Sequence, residues 1–368
     1  MADDFEFSIR ESIFAKMLAH KEKDGFGEKE WDEWFDHILG NNHSKKLIRN
    51  EIEKTMEKLH HESFDDWVQN FAINLHYIWN EYSAGELSPN KDQMRNIQKH
   101  SAIVIGRGPS IKTHRHLELI ANSGYNGSII CTDGALINVL QAGITPEKFS
   151  KFYVVTIDPN DIVKKFYDDR LVDTYGPKIK GIFSTVVKPS TVERARQAGI
   201  KIYWVHALFD YVEGKKSFNQ ISALMVRAKN HSQGLPAIQT GGNVGTASWF
   251  VGWKILKCST ISLIGINHGW EEDDPWDLII SHGRSNVSME MDKNDPAFEK
   301  LFPKIYNPHF KCYCILDPLF QFYSNALKEF ISRSPSWLTT INATEGGSIF
   351  GERIQCITLS DFLKKYQH

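Results

Sequence analysis

The run IVIGRGPSI places Gly106, Gly108, Pro109 and Ser110 directly after an apolar stretch and ahead of a helical pattern. Glycines let a backbone approach a ligand closely, and unpaired N–H groups at a helix start attract anions, so the run reads as a phosphate cradle. Ile111 stands where a dinucleotide fingerprint needs its third glycine, and no Lys-Ser/Thr pair marks a Walker A loop, so a plain tight turn also accounts for it. A second run, QTGGNVGTASWFVGWKIL, opens an apolar helix with Thr240, Gly241, Gly242, Asn243, Gly245 and Thr246. Its backbone, hydroxyl and amide donors suit phosphate or sugar oxygens, the competing explanation being close packing of the helix on a sheet.

Two carboxylates fall at comparable places. CTDGAL puts Asp133 at the end of an apolar run with Gly134 opening the next helix, and VVTIDPN puts Asp158 at the tip of the following run with Pro159 fixing the turn. Together they could hold a magnesium ion that bridges phosphate oxygens, or contact a ribose or base; each could instead cap its own helix. His268, after Asn267 in LIGINHGW, His282 in SHG and His206 in YWVH are candidate proton carriers, because imidazole titrates near neutral pH. No GxSxG, HExxH, paired CxxC or protein-kinase signature occurs, which argues against serine hydrolase, zincin and kinase chemistry.

The elements that must position these residues follow from periodicity. From Ser101 onward short apolar runs alternate with helical patterns, which predicts an α/β fold with a Rossmann-like, mostly parallel sheet flanked by helices and preceded by an N-terminal helical segment. Strands are expected near Ser101–Ile105, Ser128–Thr132, Phe152–Ile157, Ile179–Phe183, Lys201–Val205 and Thr260–Ile264, and helices near Lys112–Ser123, Ala135–Gln141, Asp161–Asp168, Thr191–Ala198, within Phe218–Asn230, and Val244–Leu256. In such sheets the ligand lies at the carboxyl ends of the strands, where every motif above falls.

The expected division is a helical N-terminal domain over 1–98, a nucleotide-binding core over 99–268 and a lid with a C-terminal extension over 269–368. In the first part Phe64, Trp67, Val68, Phe71, Leu75, Ile78, Trp79 and Tyr82 recur at spacings of three and four, a helical face that must be buried, with Ser63 as its N-cap. Gly269–Pro308 is acidic, then aperiodic, and reads as a long loop. A helix follows over Pro318–Ser332, then a strand, a Gly-rich loop, a strand and a short helix begun by Ser360.

Composition sets the outer limits. A net charge of −2 with no basic-aromatic cluster argues against nucleic acid as a partner. Residues 1–98 hold 12 Lys/Arg against 20 Asp/Glu, leaving 31 against 25 beyond, so the basic excess accompanies the proposed phosphate site. Five sparse cysteines suit a reducing compartment, and the lone CxC of Cys312 and Cys314 reads as strand or loop rather than zinc site. An acidic start without an apolar core, and no long apolar run, predict neither a secretion signal nor a membrane span. The expectation is a cytoplasmic protein, open to homo-oligomerisation, whose partner is a nucleotide-type small molecule.

Taken in order, IGRGPSI, CTDGALINVLQAGITPEKF, VVTIDP, TGGNVGTASWFVGWKILKCSTISLIGINH and INATEGGSIFGERI resemble the 6-hydroxymethylpterin diphosphokinase MptE-like (DUF115) family, which includes the motility accessory factors, similar to sialyltransferases. The resemblance spans about residues 100–360 and implies two chemistries. One moves diphosphate from ATP to a pterin alcohol with Mg2+; the other moves a nonulosonic acid from a CMP-sugar to a protein or glycan hydroxyl. The long segment after Trp270 and the TEGG run at Thr344–Gly347, which adds Glu345 and Gly346 to the ligand-binding candidates, look more like the glycosyltransferase branch. For that branch the resemblance implies a donor held by the two Gly-rich runs, Asp133 and Asp158 on nucleotide or metal, and His268 or His282 as the base. Asn267 departs from the acidic residue that the pattern usually carries there, and with the aromatic-rich N-terminal segment it keeps open a third reading, a non-catalytic nucleotide-binding or scaffold protein.

Overall fold

Strands covered by helices on both faces are buried at every position, so they read as nearly continuous apolar runs rather than alternating ones. That is the texture of β2 (Ser101–Ile105), β3 (Ser128–Thr132), β4 (Phe152–Thr156) and β8 (Thr260–Ile264), each buried throughout. The computed structural model describes residues 64–90, 100–208, 217–229, 231–282 and 296–366. Its other strands are β1 (Tyr82–Ser83), β5 (Lys180–Ser184), β6 (Lys201–Leu208), β7 (Ala237–Gln239), β9 (Lys304–Asn307), β10 (Cys312–Ile315), β11 (Thr339–Asn342) and β12 (Ile354–Cys356).

Ten of these form one sheet in the order β1-β6-β5-β4-β3-β2-β8-β11-β12, with β7 also on β6. All its pairings are parallel. The chain steps outward from β2 to β6 and then returns across the sheet, so that β8 lies on the other side of β2. Strand order therefore reverses between β2 and β8, the place where loops diverge to opposite faces and open a crevice at the carboxyl edge.

Alternate side chains build the two layers. Val104, Ile130, Val155, Ile182 and Val205 pack with Trp249 and Phe250 of helix Val244–Phe250 and with Phe322 and Phe330 of helix Pro318–Ser332. Ile103, Ile129, Val154, Phe183 and Trp204 pack with the remaining helices, among them the one over residues 64–78.

That first helix answers the question of the N-terminal aromatic stripe. Phe71, Leu75 and Ile78 are buried, while Val68 and Tyr82, expected on the same face, stay 38% and 43% exposed. Asn70 donates its side-chain amide to Pro159 O and Val186 O (both 3.1 Å), and Asn74 to Thr185 O and Val187 O (3.2 and 2.7 Å). These carbonyls lie at the strand ends, beyond the ladder, and would otherwise be buried without donors. Glu81 accepts from both Arg196 Nε and Nη2 (2.7 and 2.8 Å) and from Trp204 Nε1 (2.7 Å). The segment expected to be only helical also supplies β1 at the sheet's edge. Its proposed cap, Ser63, lies outside the described residues.

Several expected boundaries are corrected. The helix over Lys112–Ser123 starts at Ser110 and is broken at Arg115, whose φ of 53° is left-handed. The helix over Val244–Leu256 ends in a π turn, Val251–Ile255. The segment 269–308, expected as a loop, contains helices Trp276–His282 and Pro296–Leu301 and begins the β9–β10 hairpin, with Trp270 bridging to Ile315. Thr358, not Ser360, caps the last helix, its hydroxyl accepting from Asp361 N (3.1 Å). Among the described residues no helix is long and apolar enough to cross a membrane.

Candidate functional site

Loops leaving β2, β3, β4, β7 and β8 surround a cleft of about 740 Å³ at the carboxyl edge. Gly106, Gly108 and Pro109 line it from one side and Thr240, Gly242, Asn243 and Gly245 from another. The two Gly-rich runs thus converge, and Asp133, Gly134, Asp158, Asn267, His268 and His282 face the same space. Ser110, Gly241 and Thr246 sit behind this lining.

The first Gly-rich loop is small for a reason other than phosphate. A Cβ on Gly106 would stand 2.3 Å from Gly265 O, and one on Gly108 2.2 Å from Asn267 Oδ1. The amides of Gly106 and Gly108 donate to Ile264 O and Gly265 O (both 2.9 Å), and the Ser110 hydroxyl donates to Asn267 Oδ1 (2.9 Å). The β2 and β8 loops are therefore laced together, and the expectation that these two amides lie bare for a phosphate is corrected. Asn267, in turn, serves to hold that lacing.

What the β2 loop does offer is Arg107, whose exposed guanidinium lies 5.5 Å from the Phe166 ring centre, where Lys165 also stands at 5.4 Å. Gly134 makes room for it, since a Cβ there would be 2.8 Å from Arg107 Cδ. Both cations line the cleft, and neither was singled out above, although Arg107 lies inside the GRGPS run.

In the second loop Asn243 is the helix cap, its Oδ1 accepting from Thr246 N (2.8 Å) and its Nδ2 donating to Gly241 O (3.2 Å). Gly242, at φ 80°, passes so close to Tyr323 that a Cβ would be 2.6 Å from the ring. Among the described residues the first-turn amides of Val244 and Gly245 have no acceptor, which leaves the positive end of this helix facing the cleft.

Asp133 is 4% exposed, its Oδ1 accepting from Gly134 N (2.7 Å) and its Oδ2 buried with no hydrogen-bond partner. Burial pushes its pKa up to about 7; the Gly134 amide opposes the rise, Asp158 adds to it and Arg107 opposes it. The Thr156 hydroxyl, which shares a 2.5 Å hydrogen bond with Tyr167, is near enough to lower it slightly without meeting hydrogen-bond geometry. Asp158 closes a turn, its Oδ1 accepting from Asn160 N and Nδ2 (2.8 and 2.6 Å). No cluster of three His, Cys, Asp or Glu among the described residues could hold a metal. Asp133 and Asp158 both line the cleft, and each already has its Oδ1 engaged by protein N–H groups, so an ion there would take most of its ligands from phosphate and water.

The three histidines differ sharply. His206 is buried outside the cleft lining, and burial, with Arg227 nearby, brings its pKa down to about 4. His268 lines the cleft at a left-handed φ of 40°, with Nδ1 unpartnered; burial, then Lys328, brings its pKa down to about 3. So weak a base is a poor proton acceptor at neutral pH. His282 has Nδ1 2.7 Å from Asp317 Oδ2, which also accepts from Trp270 Nε1 (2.7 Å). Asp317 is fully buried and its Oδ1 caps helix Pro318–Ser332 through Phe320 N (2.8 Å). An imidazole donating from Nδ1 to a fixed carboxylate presents Nε2 as its acceptor, the arrangement a general base requires. Asp317 was not recognised in the sequence, where DPLF reads simply as a helix start.

The TEGG run is not at the cleft, which corrects the placement of Glu345 and Gly346. Glu345 Oε1 accepts from Leu359 N (3.0 Å) and meets His116 Nε2 at 3.2 Å. Gly347, at φ 71°, lies where a Cβ would be 2.3 Å from Asn267 O, and Ser348 donates its amide to Asn267 O (2.9 Å) and its hydroxyl to His268 O (2.7 Å). The segment braces the strained β8 loop from behind.

A model of the family described as 6-hydroxymethylpterin diphosphokinase MptE-like matches residues 69–273. Among solved structures the fold is similar to that of the MAf glycosyltransferase from Magnetospirillum magneticum AMB-1, with a TM-score of 0.51 and 13% identity over 89% of this chain and 45% of that one. The chain therefore spans less than half the length of that structure's chain. No curated protein matches it. The matched segment takes in the strand-end loops through Trp270, but neither Trp67 nor the His282 and Asp317 pair.

Proposed function

The chain belongs to the 6-hydroxymethylpterin diphosphokinase MptE-like family, and from that premise we propose that it is a nucleotide-dependent transferase working in the cleft between β2 and β8. The observation that carries the reading is the convergence of the two Gly-rich strand-end loops on one cleft whose lining also includes the cations Arg107 and Lys165 and the acids Asp133 and Asp158. Cations and helix-start amides gathered at the carboxyl edge of a parallel sheet suit an anionic, phosphate-bearing ligand.

The first reading is glycosyl transfer from a CMP-type sugar donor to a protein or glycan hydroxyl. Arg107, Lys165 and the helix end at Val244 offset the donor phosphate charge. His282 Nε2 takes the acceptor's proton while Asp317 holds the ring. The acceptor oxygen bonds to the anomeric carbon, and the bond from that carbon to the donor phosphate breaks, its electron pair leaving with CMP. The second reading, favoured by the pairing of Asp133 with Asp158, is diphosphate transfer from ATP to 6-hydroxymethyl-7,8-dihydropterin. The pterin alcohol, deprotonated by the same His282, bonds to the β-phosphorus, and AMP leaves with the broken α-β bridging bond. Here Asp133 and Asp158 would hold Mg2+, which when bound neutralises charge on the phosphate oxygens. The unpaired thiols of all five cysteines support a cytoplasmic setting for either reaction.

Both reactions are assayed side by side. One contains CMP-activated nonulosonic acids with hydroxyl-bearing peptide or glycan acceptors; the other contains ATP, Mg2+ and the pterin alcohol. CMP release supports the first reading and AMP formation the second. If neither product forms at a rate above that of the His282→Ala variant, the transferase proposal fails.

A further inference from the structure

We propose that the cleft is divided, the wall of Trp67, Ile162 and Phe166 taking the planar base of the nucleotide and the wall of Trp270 and Phe320 taking the acceptor. The inference rests on the nucleotide reading above and adds to it a binding subsite reached by a residue outside the family-matched segment.

Trp67 arrives through the N-terminal helix. Asn70, one turn further along, is fastened to Pro159 O and Val186 O at the tips of β4 and β5 (both 3.1 Å), so the face bearing Trp67 lies over those strand ends. The turn Asp161–Tyr167 brings Ile162 and Phe166 into the same lining. Ile162 is 62% exposed, a branched aliphatic side chain facing a cleft with most of its surface wet. A flat ring laid on this shelf would cover it, which is the favourable direction for apolar surface.

Charge then gives the shelf a direction. Arg107 and Lys165 lie over the Phe166 ring, 5.5 and 5.4 Å from its centre, and Arg107 is near enough to act on the charge of Asp133. Cations therefore cover the Phe166 end of the shelf and leave Trp67 and Ile162 as its open apolar part. An apolar shelf edged by cations matches a base joined through its sugar to phosphate. The Trp270 and Phe320 wall is already committed, because a base laid on it would occupy the space beside His282 that an acceptor hydroxyl needs. Base stacking on an aromatic face discriminates little between bases, so this wall predicts nucleotide binding in general.

The test measures binding of CMP, AMP, ribose 5-phosphate and pyrophosphate to the full-length protein by calorimetry. The wild type should prefer either mononucleotide over ribose 5-phosphate by about tenfold or more. Trp67→Ala should abolish that preference and leave ribose 5-phosphate unchanged, Trp67→Phe should retain it, and Arg107→Ala should weaken all four probes. If Trp67→Ala lowers the melting temperature severely, Ile162→Ser at its exposed position should reduce the preference severalfold instead. The subsite is overturned if the preference survives both substitutions, or if Tyr323→Leu on the far wall removes it. Should no phosphate probe bind in an Arg107-dependent way, the nucleotide reading fails first and takes the subsite with it.

Discussion

Replacing Asp133 with its neutral isostere, Asp133→Asn, separates what this carboxylate does for the fold from what it does for a ligand. In the unfolded chain the group ionises near its ordinary value of 3.8, whereas in the folded protein burial holds it protonated up to about 7. Between those values the folded state binds the extra proton, so stability falls as pH rises through the window and the loss is complete above about 7. The difference corresponds to about 4 kcal/mol at ~1.4 kcal/mol per tenfold change in proton affinity. Asparagine keeps an oxygen for the Gly134 amide and carries no charge, so it escapes this penalty. Wild type and variant should melt together near pH 4, and the variant should melt higher by about 5 °C at pH 8, given the unfolding entropy expected for a chain of this length. Melting curves followed by circular dichroism between pH 4 and 8 measure the gap. A gap that does not widen with pH, or a variant less stable at pH 8, would show that Oδ2 already has a partner in the folded protein. Mg2+ with pyrophosphate should narrow the gap by stabilising the wild type, and the variant should bind that pair more weakly.

Other substitutions probe the remaining parts. His282→Ala should lower kcat by about 10²- to 10⁴-fold with a smaller effect on KM, and Asp317→Asn should lower it in the same sense, both read in whichever transfer assay yields product. Gly347→Ala should destabilise the protein by more than about 2 kcal/mol in urea unfolding, because a Cβ at φ 71° would lie 2.3 Å from Asn267 O. Glu345→Ala should cost about 1–3 kcal/mol by orphaning His116 and the Leu359 amide, yet leave CMP and ATP affinity unchanged. A loss of affinity there would return the TEGG run to the binding site.

The strands and their carboxyl-end motifs were legible in the sequence because they are local properties. A mostly apolar run such as SAIVI or TISLI is what a strand covered on both faces looks like, and the residue after it sits at the edge where ligands bind. Thus β2, β3 and β8 emerge with their boundaries intact, and Asp133, Asp158 and both Gly-rich runs reach one cleft. Purposes were not legible, since they depend on what approaches from elsewhere. Gly106 and Gly108 are small because the β8 loop crosses them, and Glu345 looks like a ligand contact until Leu359 and His116 close on it. His282 is one histidine among several until Asp317, 35 positions away, is folded against it. Residue types and period determined the sheet, its covered faces and the edge at which chemistry belongs. Which polar groups are used up by the protein and which are left for a guest was decided only when distant loops met, because a hydrogen bond between them leaves no mark on either segment alone.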